Sequence, residues 1–176
     1  MLYTADTRIE LPEVTIAFGL QTHTPGRIIA QARRPVSPLE VPPDTDFSSV
    51  YVQEALGKIV MKIAARLAPD ILLPRAQQLA LEVGAVPPQG WRIATGRRIL
   101  GTCTSRGLIS LSAACVFLPQ HLRDYIVWHE LAHLSEMNHS PRFHAVCNRY
   151  CRGREKEYVA ELRRFQWPLP PKIRRK

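Results

Sequence analysis

Three histidines and a glutamate in the second half of the chain have the spacing of a metal site with a base beside it. His129-Glu130-Leu131-Ala132-His133 is followed six residues later by His139. On a helix, residues four apart project from one face, so the imidazoles of His129 and His133 are expected to reach one ion. Glu130 then lies beside any water at that ion, where a general base is needed. We predict a catalytic zinc site.

The alternative is a helix that carries histidines by chance. Five of the six histidines fall between positions 121 and 144. With this composition an H-E-x-x-H pattern arises somewhere in the chain with odds of roughly one in a hundred, and a third histidine at one fixed position lowers them about thirtyfold. A metal site is the better interpretation.

The segment around the motif predicts a buried helix. From Pro119 to about Glu136 the apolar residues fall on most sides of a helix. A helix of that kind is buried, so its histidines point into the protein or into a cleft cut through it.

A tight turn is predicted after this helix. Asn138 is expected to take the left-handed conformation that ends a helix, and Ser140-Pro141 predicts the N-cap and first position of the next one. This turn brings His139 back as a third ligand. Two more helices are predicted, at 141–151 and 154–165, separated near Gly153.

Two helices and a small sheet are predicted upstream. The helices run from Asp46 to about Ala68, before Pro69, and from Pro74 to Gly84. The region from about Trp91 to Leu111 predicts two or three short antiparallel strands, separated by turns at Gly96 and Ser105-Arg106-Gly107. The clearest strand is Leu108–Ser112.

The first 45 residues are rich in proline. Val14–Phe18 and Arg27–Ala30 are the only strand-like runs, and prolines between positions 35 and 43 keep the next stretch extended. We therefore expect a proline-rich extended segment over 1–45, a domain over 46–167 in which Trp167 is packed, and a loose basic tail over 168–176.

Composition limits the class of protein. The chain has 176 residues, of which 45% are hydrophobic, enough to bury a core without the help of a metal or disulfides. No apolar run approaches the length of a membrane span, and the N-terminus lacks the pattern of a secretory signal. Four cysteines then indicate reduced thiols and a cytoplasmic protein. Cys147 and Cys151, four residues apart, leave open a second metal site or a redox pair.

The net charge of +9 leaves the partner open. Much of the surplus lies late in the chain, so non-specific contact with nucleic acid through a basic C-terminal surface is one interpretation. A solvated face with a soluble tail is the other, at even odds. The late basic residues are Arg142, Arg149, Arg152, Arg154, Lys156, Arg163, Arg164, Lys172, Arg174, Arg175 and Lys176.

The stretch from about Arg98 to Val146 resembles the YgjP-like family of small zinc metallopeptidases, which are related to the SprT-like and WLM proteases. The matching residues are Leu100–Ser105 with Gly107, Asp124–Val127, His129–Leu134, and Asn138-His139-Ser140 with Phe143. The resemblance implies an α+β, zincin-like minimal metallopeptidase. In such a fold, helices pack on a small antiparallel β-sheet or hairpin, and one helix carries the H-E-x-x-H motif. It also implies a zinc cofactor and a peptide or protein substrate.

Within and beside these matching stretches, two single positions depart from the family pattern: Leu100 and His144 stand where the family has tryptophans. These departures concern the substrate preference more than the metal. The histidine spacing also equals that of metzincins, but Glu136 replaces their glycine and no separate Met-turn is evident. A glutamate third ligand, as in gluzincins, would instead come from Glu155 or Glu157, and we favour His139.

The expected reaction is hydrolysis of a peptide bond by a zinc-activated water, with Glu130 taking its proton and later passing it to the leaving amine. His144 is the nearest candidate for a second electrophile that stabilises the oxyanion, although a packed or surface role is the commoner fate of such a histidine. His121 borders the cleft in one interpretation and lies at the surface in another.

Support for the ligands and for the substrate is also expected. Asp124 and Glu136 are candidates to accept the second N–H of a ligand histidine. By analogy of fold, an extended substrate would add to the strand at Gly101 or at Leu108.

Two other functions remain open. One is a DNA-associated zinc protein that cleaves proteins bound to nucleic acid. The other is a non-catalytic metal-binding module, against which the intact Glu130 argues because a structural site has no need of it.

Overall fold

The computed structural model describes residues 1–21 and 26–170. The chain divides into two compact units. The first comprises residues 1–67 together with residues 167–170, and the second comprises residues 68–166. The expected tail from 171 to 176 lies outside the described residues.

The first unit is built on a four-stranded mixed sheet. Its strands are β1 (Arg8–Glu10), β2 (Thr15–Leu20), β3 (Ile29–Ala30) and β4 (Val36–Val41), in the order β1-β2-β4-β3. β2 and β4 are parallel, with Ile16 opposite Ser37. Two of these strands match the predicted runs, and the proline-containing stretch forms a third, β4.

The end of the described chain also packs in this unit. The Tyr3 hydroxyl donates to the Pro168 carbonyl at 2.9 Å. The side-chain amide of Gln53 accepts from the Tyr3 N–H and donates to the Tyr3 carbonyl. Trp167 is half-buried, and Leu169 and Pro170 are buried. The packed tryptophan is followed by at least three more ordered residues rather than immediately by a loose tail.

A single helix, α1 (Val50–Glu82), replaces the two helices expected from the prolines. Pro69 and Pro74 both lie on its exposed face, so the carbonyls that they deprive of a donor can bond to water. Asp46 does not cap this helix, because its carboxylate accepts from Ser48 instead. The prediction of two helices was wrong because it treated each proline as a helix end. A proline on the exposed side of a helix can be tolerated inside it.

The second unit holds a three-stranded sheet of β5 (Gly90–Ala94), β6 (Gly101–Cys103) and β7 (Leu108–Ser112). The order is β5-β7-β6, so the predicted strand Leu108–Ser112 is the central one. β6 and β7 form the expected antiparallel hairpin, whose turn needs Gly107 at φ 80°. β5 runs parallel to β7, so the prediction of an all-antiparallel sheet was wrong. The reason is that β7 lies between β5 and β6 in the sheet and pairs with both.

Three helices complete this unit, after a buried 3-10 helix (Ala113–Phe117): α2 (Gln120–His133), α3 (Pro141–Tyr150) and α4 (Glu155–Arg164). The combination of helices and small mixed sheets confirms the expected α+β class. Within the described part of the chain, no helix has both the length and the apolar character needed to cross a membrane.

Candidate metal centre

The helix α2 is held in place by two buried side chains that follow each other along it. The Arg123 guanidinium donates to the carbonyls of Val116 and Leu118, at 2.8 and 2.7 Å. The Asp124 carboxylate receives two bonds from Arg75 of α1, at 2.7 and 3.2 Å. The start of α2 is therefore fixed by charge-assisted bonds on two sides, and this fixes the direction in which its later residues project.

The structure brings His129, His133 and His139 together. Their potential ligand atoms all lie within 4.8 Å of one another, and the Nε2 atoms of His129 and His139 are 3.1 Å apart. In the described residues this is the only such cluster of three or more histidine, cysteine or acidic side chains. Neighbouring nitrogens around a tetrahedral zinc ion lie about 3.3 Å apart, so the donor set suits that ion.

The turn that places His139 differs from the expected one. Among the described residues other than glycine, only Arg152 has a positive φ, so Asn138 is not left-handed. Instead α2 ends at His133, and a close bond of 2.7 Å from the Ser140 N–H to the Asn138 carbonyl folds the chain back. Ser140 caps α3 through the Phe143 N–H at 3.2 Å, with Pro141 in its first turn, as predicted.

The ring of Phe143 packs against all three imidazoles. Its ring centroid lies 4.9, 4.5 and 4.7 Å from those of His129, His133 and His139, and the residue is fully buried. The sequence indicated Phe143 only as part of the family pattern. Its packing against the histidines has no signal in the sequence, because the spacing does not show that α3 turns this ring toward α2.

The Nδ1 atoms of His129 and His133 differ in their hydrogen bonding. His133 Nδ1 donates to the main-chain carbonyl of Glu136 at 3.2 Å, which leaves its Nε2 free to bind a metal. The candidate Glu136 thus contacts one of the three histidines, His133, through its main chain, whereas Asp124 is engaged by Arg75. The Nδ1 atom of His129 is buried and has no hydrogen-bond partner in the described residues.

Burial keeps two of the imidazoles neutral. It lowers the pKa of His129 to about 4, with a further contribution from the charge of the neighbouring histidines, and it lowers the pKa of His133 as well. Neutral imidazole is the form that binds a metal, so these histidines need not lose a proton to do so at neutral pH.

Glu130 is buried against the start of β6. Only 4% of its surface is exposed, and burial raises its pKa to about 8. A Cβ atom added at Gly101 would lie 2.7 Å from the Glu130 Cδ atom, so the glutamate occupies the space of a missing side chain. The sequence indicates Gly101 only as part of the family pattern and as a strand residue, and it carries no signal for this contact.

The other candidate residues divide into those near the cluster and those elsewhere. The ring of His144 stacks on that of His139 at 6.5 Å, and its Nδ1 is bound by Glu155 at 2.8 Å. Glu155 is buried and also accepts from Asn148 at 2.8 Å, so both of its oxygens are engaged. Glu157 pairs with Arg154, and His121 pairs with Glu161 at the surface.

Cys147 lies on α3 and Cys151 is the residue that follows its last turn, and both are buried. Burial is the main cause that raises the pKa of each thiol. Since the thiolate is the form that binds metals and attacks disulfides, this environment disfavours a second metal site or a redox pair here.

The family model of the YgjP-like metallopeptidase domain matches residues 13–165. The match confirms the resemblance seen in the sequence and extends it well upstream of the stretch that carried it. No curated protein and no solved structure gives a significant match to the chain.

Proposed function

The chain belongs to the YgjP-like metallopeptidase family, and from that premise we propose that it hydrolyses peptide bonds with a zinc ion held by His129, His133 and His139. The observation that carries the proposal is the convergence of three imidazole ligand atoms within 4.8 Å. A three-histidine set leaves the fourth position of zinc open, which is the pattern of catalytic rather than structural sites. When bound, the ion supplies Lewis acidity and lowers the pKa of a water molecule.

Glu130 is the general base in this proposal. It follows His129 directly on α2 and is held in place by its packing on Gly101. A pKa near the working pH lets a carboxyl group both accept and release a proton, and a cation at the three imidazoles would favour its charged form. Glu130 therefore takes a proton from the attacking water and returns it to the leaving amine.

The substrate lies along β6, the edge strand of the second sheet. Leu100 accepts from Ser112, and Thr104 donates to Leu108, so alternate residues of the strand face β7. The main-chain groups of Gly101 and Cys103 then face the free edge, where an extended peptide can add as a further strand. Leu108 is not available in this way because β7 is paired on both sides.

His144 is proposed to stabilise the oxyanion. Its ring lies beside that of His139, about half of its side chain is exposed, and Glu155 fixes its orientation through Nδ1. Its Nε2 is thereby left to donate to a negatively charged oxygen. The same contacts engage Glu155, which favours His139 over Glu155 as the third ligand.

The test of the proposal compares Glu130→Gln with the natural protein. We expect about one zinc per chain in both proteins and a loss of about 10²–10⁴-fold in kcat for the variant, because only the base is removed. Metal analysis and digestion of an unbiased peptide library measure the two quantities. Undiminished hydrolysis by Glu130→Gln would contradict the mechanism.

A second set of variants identifies the third ligand. His139→Ala should lose zinc, whereas Glu155→Gln and Glu157→Ala should retain it. Retention of zinc by His139→Ala together with its loss from Glu155→Gln would assign the ligand to the glutamate.

A further inference from the structure

A cavity of about 370 Å³ opens between α2, α4 and the start of β6. His129 and Glu130 form part of its wall, so it lies directly beside the residues proposed to perform the chemistry. Its volume is at the lower end of the range for ligand pockets, which suits one large side chain rather than a whole folded partner.

The rest of the wall is mainly apolar. Leu100 contributes from the residue before β6, Ile126 from α2, and Val159 and Leu162 from α4. Leu100, Val159 and Leu162 are only half-buried, so apolar surface remains exposed inside the cavity. An apolar side chain that covers this surface removes it from water, and this is the main source of affinity in such pockets.

One permanent positive charge lies in the wall of the cavity. Arg163 follows Leu162 on α4, lines the cavity and is exposed. Within the described residues its guanidinium forms no ion pair or hydrogen bond, in contrast to Arg154, which is paired with Glu157. A free guanidinium presents donors that suit a carboxylate.

We propose that this cavity is a specificity pocket that binds a large apolar side chain next to the scissile bond, while Arg163 binds a carboxylate of the same peptide. This inference rests on the proposed peptidase function and names its substrate class: peptides with a leucine, methionine or phenylalanine beside the cleaved bond and an acidic group nearby. The acidic group is either an aspartate or glutamate side chain or a free carboxyl terminus.

The apolar part of the proposal is tested with matched fluorogenic peptides that carry phenylalanine, leucine, alanine or lysine beside the bond. We expect kcat/KM for leucine or phenylalanine to exceed that for alanine by at least about tenfold. Leu162→Trp should fill the cavity and abolish this preference. Leu81→Trp, at a residue of α1 that is 83% exposed, is the matched control and should leave the preference unchanged.

The charged part is tested with the same peptides in acidic and neutral forms. Replacing aspartate by asparagine, or a free carboxyl terminus by its amide, distinguishes the two sources of the carboxylate. We expect the effective replacement to cost the natural protein about threefold to fivefold in kcat/KM, as for an exposed ion pair. Arg163→Glu should reverse the preference, whereas Arg164→Glu, its exposed neighbour outside the cavity, should not.

Binding separates this inference from the proposed function. The affinity of the labelled peptides for Glu130→Gln, measured by fluorescence anisotropy, should follow the same order as kcat/KM. If no peptide is cleaved but binding keeps that order, the peptidase function fails and the pocket stands. If peptides are cleaved or bound without preference, or if Leu162→Trp leaves the preference intact, the pocket proposal is overturned.

Discussion

Gly101 shows how the absence of one side chain can define the position of another. A Cβ atom at Gly101 would lie only 2.7 Å from the Cδ atom of Glu130, which is too close for two atoms that are not bonded. Glycine is therefore needed here because of a neighbouring residue and not because of its own backbone. The proposed base is confined by packing as well as by its place on α2, and this packing keeps it beside the cavity.

We predict that Gly101→Ala displaces Glu130 and lowers kcat/KM by about a hundredfold, because a shift of the order of 1 Å in a catalytic group has that effect. Zinc content should be unchanged, since the atoms nearest to the new methyl group belong to Glu130 and not to a proposed ligand. Kinetics and metal analysis of the same preparation measure both quantities. Gly96→Ala is the control, because an added Cβ there meets nothing within 4 Å.

Phe143 packs against the proposed metal site without supplying a ligand atom of its own. Because its ring contacts all three imidazoles, a smaller side chain would free each of them to rotate. The loss of such support around a metal site reduces affinity by about 10–100-fold.

Phe143→Leu should accordingly weaken zinc binding by about tenfold and lower the free energy of unfolding by about 1–2 kcal/mol. Competition with a chelator measures the affinity, and denaturant unfolding of the zinc-free protein measures the stability. Leu79→Ala removes a fully buried side chain from α1 and serves as the comparison. It should destabilise the protein by about 2–5 kcal/mol and leave the zinc affinity of the folded protein unchanged. An equal loss of affinity in both variants would mean that Phe143 acts through stability alone.

Among the elements, those defined by local signals were predicted well. The two C-terminal helices begin and end within one residue of the expected positions, because Ser140-Pro141 and Gly153 are start and stop signals that act on adjacent residues. The histidine cluster is local in the same sense, since its members lie within eleven residues of each other. The prediction that the three side chains converge therefore needed only one helix and one turn.

The elements that depend on distant contacts were predicted less well. The parallel pairing of β5 with β7 depends on where β7 lies in the sheet, and hydrophobic alternation does not determine strand order. The continuity of α1 through Pro69 and Pro74 depends on which of its faces is buried. Neither the cavity nor the contact between Glu130 and Gly101 has any signal in the sequence, since both arise where separate elements meet.

The edge strand β6 offers a direct test of substrate binding. Cys103→Pro removes an N–H that faces the free edge and leaves the bonds to β7 intact. We expect KM to rise by about fivefold to tenfold with little change in kcat, as for the loss of one hydrogen bond. Cys103→Ala retains the N–H and should behave as the natural protein, and an equal rise in KM for both variants would implicate the thiol instead.

At the scale of the whole molecule, the net charge of +9 keeps contact with nucleic acid an open prediction. Arg142, Arg149 and Arg152 are exposed around α3, and none of them forms an ion pair within the described residues. A surface of this kind attracts phosphates without reading sequence.

We expect binding to duplex DNA that weakens steeply with salt. Arg142→Gln and Arg149→Gln together should reduce the slope of log K against log salt by about two, since each phosphate contact contributes about 0.9. Fluorescence anisotropy at several salt concentrations measures this slope. Arg8→Gln, at an exposed arginine of β1, is the control, and an affinity that does not depend on salt would exclude the DNA-associated alternative.

The cavity wall on α4 has a consequence for engineering. Val159, Leu162 and Arg163 shape the cavity, yet none of them belongs to the histidine cluster or contributes the base. The proposed side-chain preference thus depends in part on α4, whereas the proposed metal ligands and base lie on α2 and in the turn that follows it. Randomising these three positions should yield proteases with new sequence preferences and the original chemistry, and an inhibitor that enters the cavity can gain selectivity from α4 without a group that binds zinc.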